Sequence, residues 1–177
     1  MRAFIGFLDS LTEMVGRLVS WLLVMMMAVS CAVVAMRYLF QSGSIIFFQE
    51  LVSYMHAATF MLAAAWTLKR QGHVRVDIFY RQMNPKTQAW INALGTLLFL
   101  MPFAVFVLLT SMDFVGRSWS IRETSADAGG IPLVYLLKTL IPASCLLLLV
   151  QGFVELMRNG ILICWKDGTP ANEEPAQ

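Results

Sequence analysis

Apolar and polar positions alternate along this chain in long blocks rather than residue by residue. Four mostly apolar runs cover 18 to 36, about 45 to 68, about 88 to 112 and about 132 to 157, with short polar stretches between them. About 20 apolar residues in a helix cross the ~30 Å hydrocarbon layer, so each run predicts a membrane-spanning helix. The first is bounded by Arg17 and Arg37 and is too long for the apolar core of a cleaved signal. It is expected to stay as a helix of about 18 to 37, although Ala28-Val29-Ser30-Cys31 faintly resembles a lipoprotein cleavage box.

Upstream, Phe4, Phe7, Leu8, Leu11 and Val15 recur at helical spacing, with Asp9, Glu13 and Arg17 turned elsewhere. Residues 1–16 therefore predict a short amphipathic helix on the membrane surface, or an extension of the first span. Gln41-Ser42-Gly43-Ser44 is too short a link for anything but an antiparallel hairpin. Asn84-Pro85 reads as a helix start, with Asn able to cap and Pro lacking an amide to satisfy. The connection from Asp113 to Gly130 closes in Gly129-Gly130-Ile131-Pro132, a breaker followed by a helix-opening proline. Pro102 and Pro142, inside the third and fourth spans, predict mild kinks. Residues 17–160 thus form an all-α four-helix transmembrane domain, and 161–177, rich in polar residues and proline, is expected to be a disordered tail.

Composition agrees with this pattern and narrows it. With 58% hydrophobic and 14% charged residues, 177 residues cannot bury their apolar surface in a water-soluble core. A net charge of +2, spread over loops and helix ends, gives no surface for nucleic acid. Cys31, Cys145 and Cys164 lie far apart in or beside apolar runs, as free thiols do. No phosphate loop, nucleophile with a nearby base or metal-spaced Cys/His cluster is present, so neither an enzyme nor a cofactor or metal site is expected. Arg2, Arg17, Lys69, Arg70, Arg75, Arg81, Lys86, Arg158 and Lys166 fall on one side of the membrane and Arg37, Arg117 and Arg122 on the other. By the positive-inside rule both termini and the 69–86 connection face the cytoplasm.

Charges inside spans each need a reason, because they are costly in hydrocarbon. Glu50 lies roughly 7 Å and Lys138 roughly 9 to 10 Å below the same outer end of their helices, at 1.5 Å per residue. They are expected to face each other as a structural ion pair, with Arg37 as the competing partner. His56 and His73 suggest haem, but roughly 25 Å of one helix would separate them, so a haem or quinone anchor is a lesser alternative. A homodimeric four-helix exporter exchanging protons at Glu50 is another. Small and polar residues at Ser53, Ala57, Ala58, Ala63, Ala64 and Ala65, and at Asn92, Gly95 and Thr96, predict faces that meet other helices.

Several of these residues carry a likeness. Arg37, Phe48-Gln49-Glu50-Leu51, Ala64, Ala65, Arg70, Gly72-His73-Val74-Arg75-Val76-Asp77, Ser125, Ile131-Pro132 and Pro142 together resemble the small membrane subunit of tripartite ATP-independent periplasmic (TRAP) transporters. The likeness runs over about 17 to 157. It departs where that family often has Trp-x-Glu-Glu, since only Glu50 stands here. The resemblance implies a scaffold in the bacterial inner membrane, packed on a large transmembrane subunit that carries the substrate and sodium sites. It also implies a periplasmic substrate-binding protein and small organic acids as cargo. Under that reading, Arg117, Arg122, Glu123 and Asp127 form a candidate contact with the binding protein. The motif residues Arg70, Gly72, His73, Arg75 and Asp77 hold the cytoplasmic loop, with Gly72 permitting the turn and Asp77 capping the stretch 78 to 83.

Overall fold

The structure, a computed structural model, describes residues 2–39, 45–70, 72, 80 and 82–164, with side chains from residue 5 onward. The described elements are helices: α1 Arg2–Leu39, α2 Ile45–Lys69, α3 Pro85–Ser120 and α4 Val134–Cys164. All four are long and apolar enough to cross a membrane. They alternate in direction. Arg2, Lys69, Pro85 and Cys164 mark one end, called basal below, and Leu39, Ile45, Ser120 and Val134 the other, called distal.

α1 packs on α2, α2 on α4 and α3 on α4, with a shorter contact between α1 and α4. α4 is therefore the hub, and its buried row Ser144, Cys145, Gln151, Gly152, Val154, Glu155 and Asn159 shows it. Small residues make the close approaches possible. Gly152 faces Leu100 of α3, whose methyl carbon would lie 2.9 Å from an added Cβ. Gly16 of α1 receives the indole of Trp66, and a Cβ there would stand 2.3 Å from a ring carbon. In lipid, where water does not drive helices together, such fitted contacts hold a bundle.

Three helices depart from the lengths that hydropathy predicts. α1 runs unbroken through residues 2–16, so of the two expectations, a surface helix or an extension of the first span, the extension is what forms. Its orientation is also the reverse of a surface helix: Thr12, Gly16 and Val19 are buried, whereas Phe7, Leu11, Met14 and Leu18 are exposed. α3 continues past residue 112 to Ser120 because Ala104, Ser111, Val115 and Ser118 supply a buried stripe at heptad-like spacing. Asp113 and Arg117 sit on its exposed side. α4 begins at Val134 and extends to Cys164, and residues 165–177, expected as a tail, lie outside the described residues.

The two prolines behave differently. Pro102 follows a π turn at Thr96–Leu100, one extra residue in the turn that absorbs the lost amide bond. Pro142 is buried inside α4, which continues through it. At the start of α3 Pro85 is the first residue as expected, but Asn84 makes no side-chain cap. Gln88 instead ties the preceding turn to the helix, its amide nitrogen donating to the Tyr80 and Met83 carbonyls at 2.9 and 3.0 Å.

Candidate functional site

Polar side chains gather at the two ends of the bundle, and each group closes on itself. At the distal end Glu50, near the start of α2, accepts hydrogen bonds from the Ser125 hydroxyl and from the Ile131 amide at 2.5 Å. The Asp127 amide donates to Ser125 Oγ at 3.1 Å and the Gly130 amide to the Asp127 carbonyl at 3.0 Å. Gly129 has φ 87°. A Cβ on Gly130 would stand 2.6 Å from Glu50 Oε1, so the loop backbone lies directly on the carboxylate.

Beside it, Lys138 pairs with Glu123 and lies 4.1 Å above the ring of Phe114. The Lys138 ammonium holds the Glu123 carboxyl below the usual carboxylate range. Trp119 donates through Nε1 to Thr139 Oγ1 at 2.8 Å and meets Tyr135 edge to face at 4.8 Å between centroids. These contacts fix the end of α3 to the start of α4.

The expected Glu50–Lys138 pair is thus not formed. Depth along the helices matched, but the α3–α4 connection folds back between them. It delivers Glu123 to Lys138 and backbone donors to Glu50. Arg37 is exposed and makes no ion pair among the described residues. Of the residues expected to contact a binding protein, Arg117 is on α3 rather than in a loop, Arg122 is exposed, Glu123 is taken by Lys138, and Asp127 is exposed. Arg122 is the non-glycine residue at positive φ among those described, 46°.

The basal end holds the larger group, which the sequence reading did not single out. Thr12 donates to Gln151 Oε1 at 2.9 Å, and Arg158 pairs with Asp9 at 2.8 Å and with Glu155 at 3.4 Å. Lys69 donates to the Asp9 carbonyl at 2.8 Å and pairs with Glu13 at 3.0 Å, which Arg70 also reaches at 2.8 Å. Gln151 and Thr12 are 0% and 1% exposed. A readable signal existed: Gln151, Glu155, Arg158 and Asn159 recur at helical spacing on an otherwise greasy helix, as do Asp9, Thr12 and Glu13 on α1. In a membrane helix such a stripe turns inward.

Of the 70–77 motif, Arg70 lies over Trp66 at 5.6 Å in addition to its pair with Glu13. The Gly72 amide donates to the Thr67 carbonyl at 2.9 Å, closing the end of α2. His73, Arg75 and Asp77 lie outside the described residues. Above the basal group, the spread of α2 from α3 leaves a groove of about 840 Å³ lined by residues including Ala64, Leu68, Asn92, Gly95, Phe103 and Asn159. The small residues of α2 and α3 that predict helix contacts line it in part. His56 is exposed on α2.

A bundle of four spans with polar groups closed at both ends, and uncharged stretches 18–36, 51–68, 87–112 and 139–154 between them, defines a multi-pass membrane protein without a charged site at mid-depth. The family model for the tripartite ATP-independent periplasmic transporters, DctQ component, matches residues 26–159, and the chain belongs to that family. It is the small membrane component of a TRAP transporter. No curated protein and no solved structure matches the chain.

Proposed function

We propose that the chain is the fixed scaffold of a secondary uptake system in the bacterial inner membrane. It supports a large sodium-coupled membrane subunit that takes up a small organic acid delivered by a periplasmic binding protein. The observation that carries this reading is the uncharged middle of all four helices. A transporter acting alone needs polar groups or broken helices near mid-depth to hold its cargo. Here the ion pairs among the described residues lie at the ends of the helices and tie those ends together, as suits a support. The basic residues of the basal end favour a cytoplasmic location for both termini, and the distal loop then faces the periplasm. The groove between α2 and α3, with Ala64, Gly95 and Ala104 on its walls, suits a helix of the large subunit.

Mild-detergent purification of the tagged chain from cells expressing the whole transporter is expected to bring down the large subunit. Proteoliposomes lacking the chain are expected to lose binding-protein-dependent uptake. Cation flux through the chain alone, abolished by Glu50→Gln, would instead establish the proton-coupled exporter.

A further inference from the structure

His56 stands where a lone bundle would meet hydrocarbon. It lies about 17 Å from the Ile45 end of α2 and about 20 Å from the Lys69 end, at 1.5 Å per residue, so it sits near the middle of the span. The side chain is exposed and makes no hydrogen bond or ion pair among the described residues. Exposed hydroxyls on these helices satisfy themselves on their own backbone: Ser20, Ser53 and Thr110 donate to the Gly16, Gln49 and Phe106 carbonyls at 2.9, 3.2 and 2.8 Å. The His56 imidazole makes no such bond. It is also too short to reach the membrane edge, as a long lysine side chain does.

The surrounding face is also unlike the rest of the bundle. Gln49, Ser53, His56 and Phe60 are all exposed and recur at spacings that put them on one side of α2. At matching depth α1 exposes Val24 and Met27, and α3 exposes Leu98 and Phe106, side chains suited to lipid tails. From its distal end to mid-depth, the outer side of α2 is mostly polar. Lipid tails offer such groups no partner, and ionisable side chains at this depth pair with other protein groups. The groove between α2 and α3 adjoins this side, since Ala64 on its wall lies roughly 80° around α2 from His56. A second copy of the chain, related by a twofold axis, would set like against like and leave both grooves unfilled. A helix of a different polypeptide can lie in the groove and present a side chain to His56 at once.

We propose that the outer side of α2 is covered by the large membrane subunit, and that His56 donates its ring N–H at mid-depth to a carboxylate, amide or hydroxyl oxygen of that subunit. This rests on the reading of the chain as a scaffold for such a subunit, and it adds the face and the bond. Because His56 faces outward, it forms no enclosed site within the chain. Its work is to fix the depth at which the two proteins meet, as a single polar residue does between apolar helices.

The test uses the whole transporter in its membrane. With the photo-crosslinking residue benzoylphenylalanine in place of His56, irradiation is expected to join the chain to the large subunit in one band containing both. A band of two copies of this chain, or no protein adduct from an intact complex, overturns the proposal. His56→Leu is expected to lower the large subunit retained through a mild-detergent wash about three- to tenfold, the loss expected for one hydrogen bond between membrane helices. The Tm of the chain alone should not fall, because His56 bonds nothing within it. His56→Gln keeps an N–H donor and is expected to retain the large subunit near the wild-type level. Retention unaffected by His56→Leu, or lost equally in His56→Gln, overturns the bond, since shape alone would then decide the contact. Failure of the unaltered chain to hold any large subunit overturns the scaffold reading itself, a separate result.

Discussion

Gly16 of α1 lies against Trp66 of α2, and the indole occupies the place of a side chain. Gly16→Leu is therefore expected to destabilise the protein by about 1–3 kcal/mol through overpacking, read as a lower Tm in detergent. Gly6 has nothing within 4 Å of a Cβ, so Gly6→Ala should leave Tm unchanged or raise it, since alanine is the better helix former. Glu123 supports a pH prediction. Lys138 holds its folded carboxyl below the ordinary value of 4.5, so its contribution is complete above that value and disappears as pH falls through the folded value. Hydrogen exchange at the Glu123 amide should accelerate on acidification below pH 4.5 beyond the intrinsic trend, and Glu123→Gln should remove that excess. Single residues were only partly legible in the sequence. That Glu50 and Lys138 each need a partner followed from membrane physics, but the identity of the partner depended on how a loop folds back. Helix depth carries no information about that.

Among the elements, the apolar runs announced all four helices, but charges misplaced their ends. Asp113 and Arg117 look like loop when hydropathy is averaged, yet Ser111, Val115 and Ser118 continue the buried stripe of α3 beneath them. The start of α1 shows the converse error. Phe7 and Leu11 suggest an apolar face resting on lipid, whereas the face that packs is polar, with Thr12 buried against α4. Thr12→Val and Gln151→Leu each strand a buried partner and are each expected to cost about 1–3 kcal/mol. The double variant should cost clearly less than the sum, because each single loss includes the same bond. Unfolding of the four species in detergent checks this, and additive losses would mean the two side chains act separately.

For the whole molecule, the hydrophobic pattern was enough for the number of spans, whereas the order of packing was not readable. Nothing in hydropathy says that α4 touches all three other helices or that α2 and α3 stand apart around a groove. Those relations rest on Gly16, Gly152 and the inward polar stripes, which matter only once neighbours are known. The proposed orientation is open to a labelling measurement. In a Cys31→Ser background, a membrane-impermeant maleimide should reach Ala128→Cys in intact cells with a permeabilised outer membrane. Cys164, exposed at the basal end, should react only after the inner membrane is broken. The reverse pattern would place the termini outside.

The central position of α4 also bears on the order in which the protein is made. α1 and α2 emerge first, and their hairpin can already settle Lys69 and Arg70 on Glu13. Among the described residues the Asp9 carboxylate has no such companion within the hairpin and the Thr12 hydroxyl reaches only the Leu8 carbonyl there, since Arg158 and Gln151 arrive later with α4. A ribosome stalled before residue 134 would leave the Asp9 carboxylate without its arginine at the membrane edge. Completion of the chain is thus recorded in the bundle itself, because the final helix to be inserted supplies what the first one lacks.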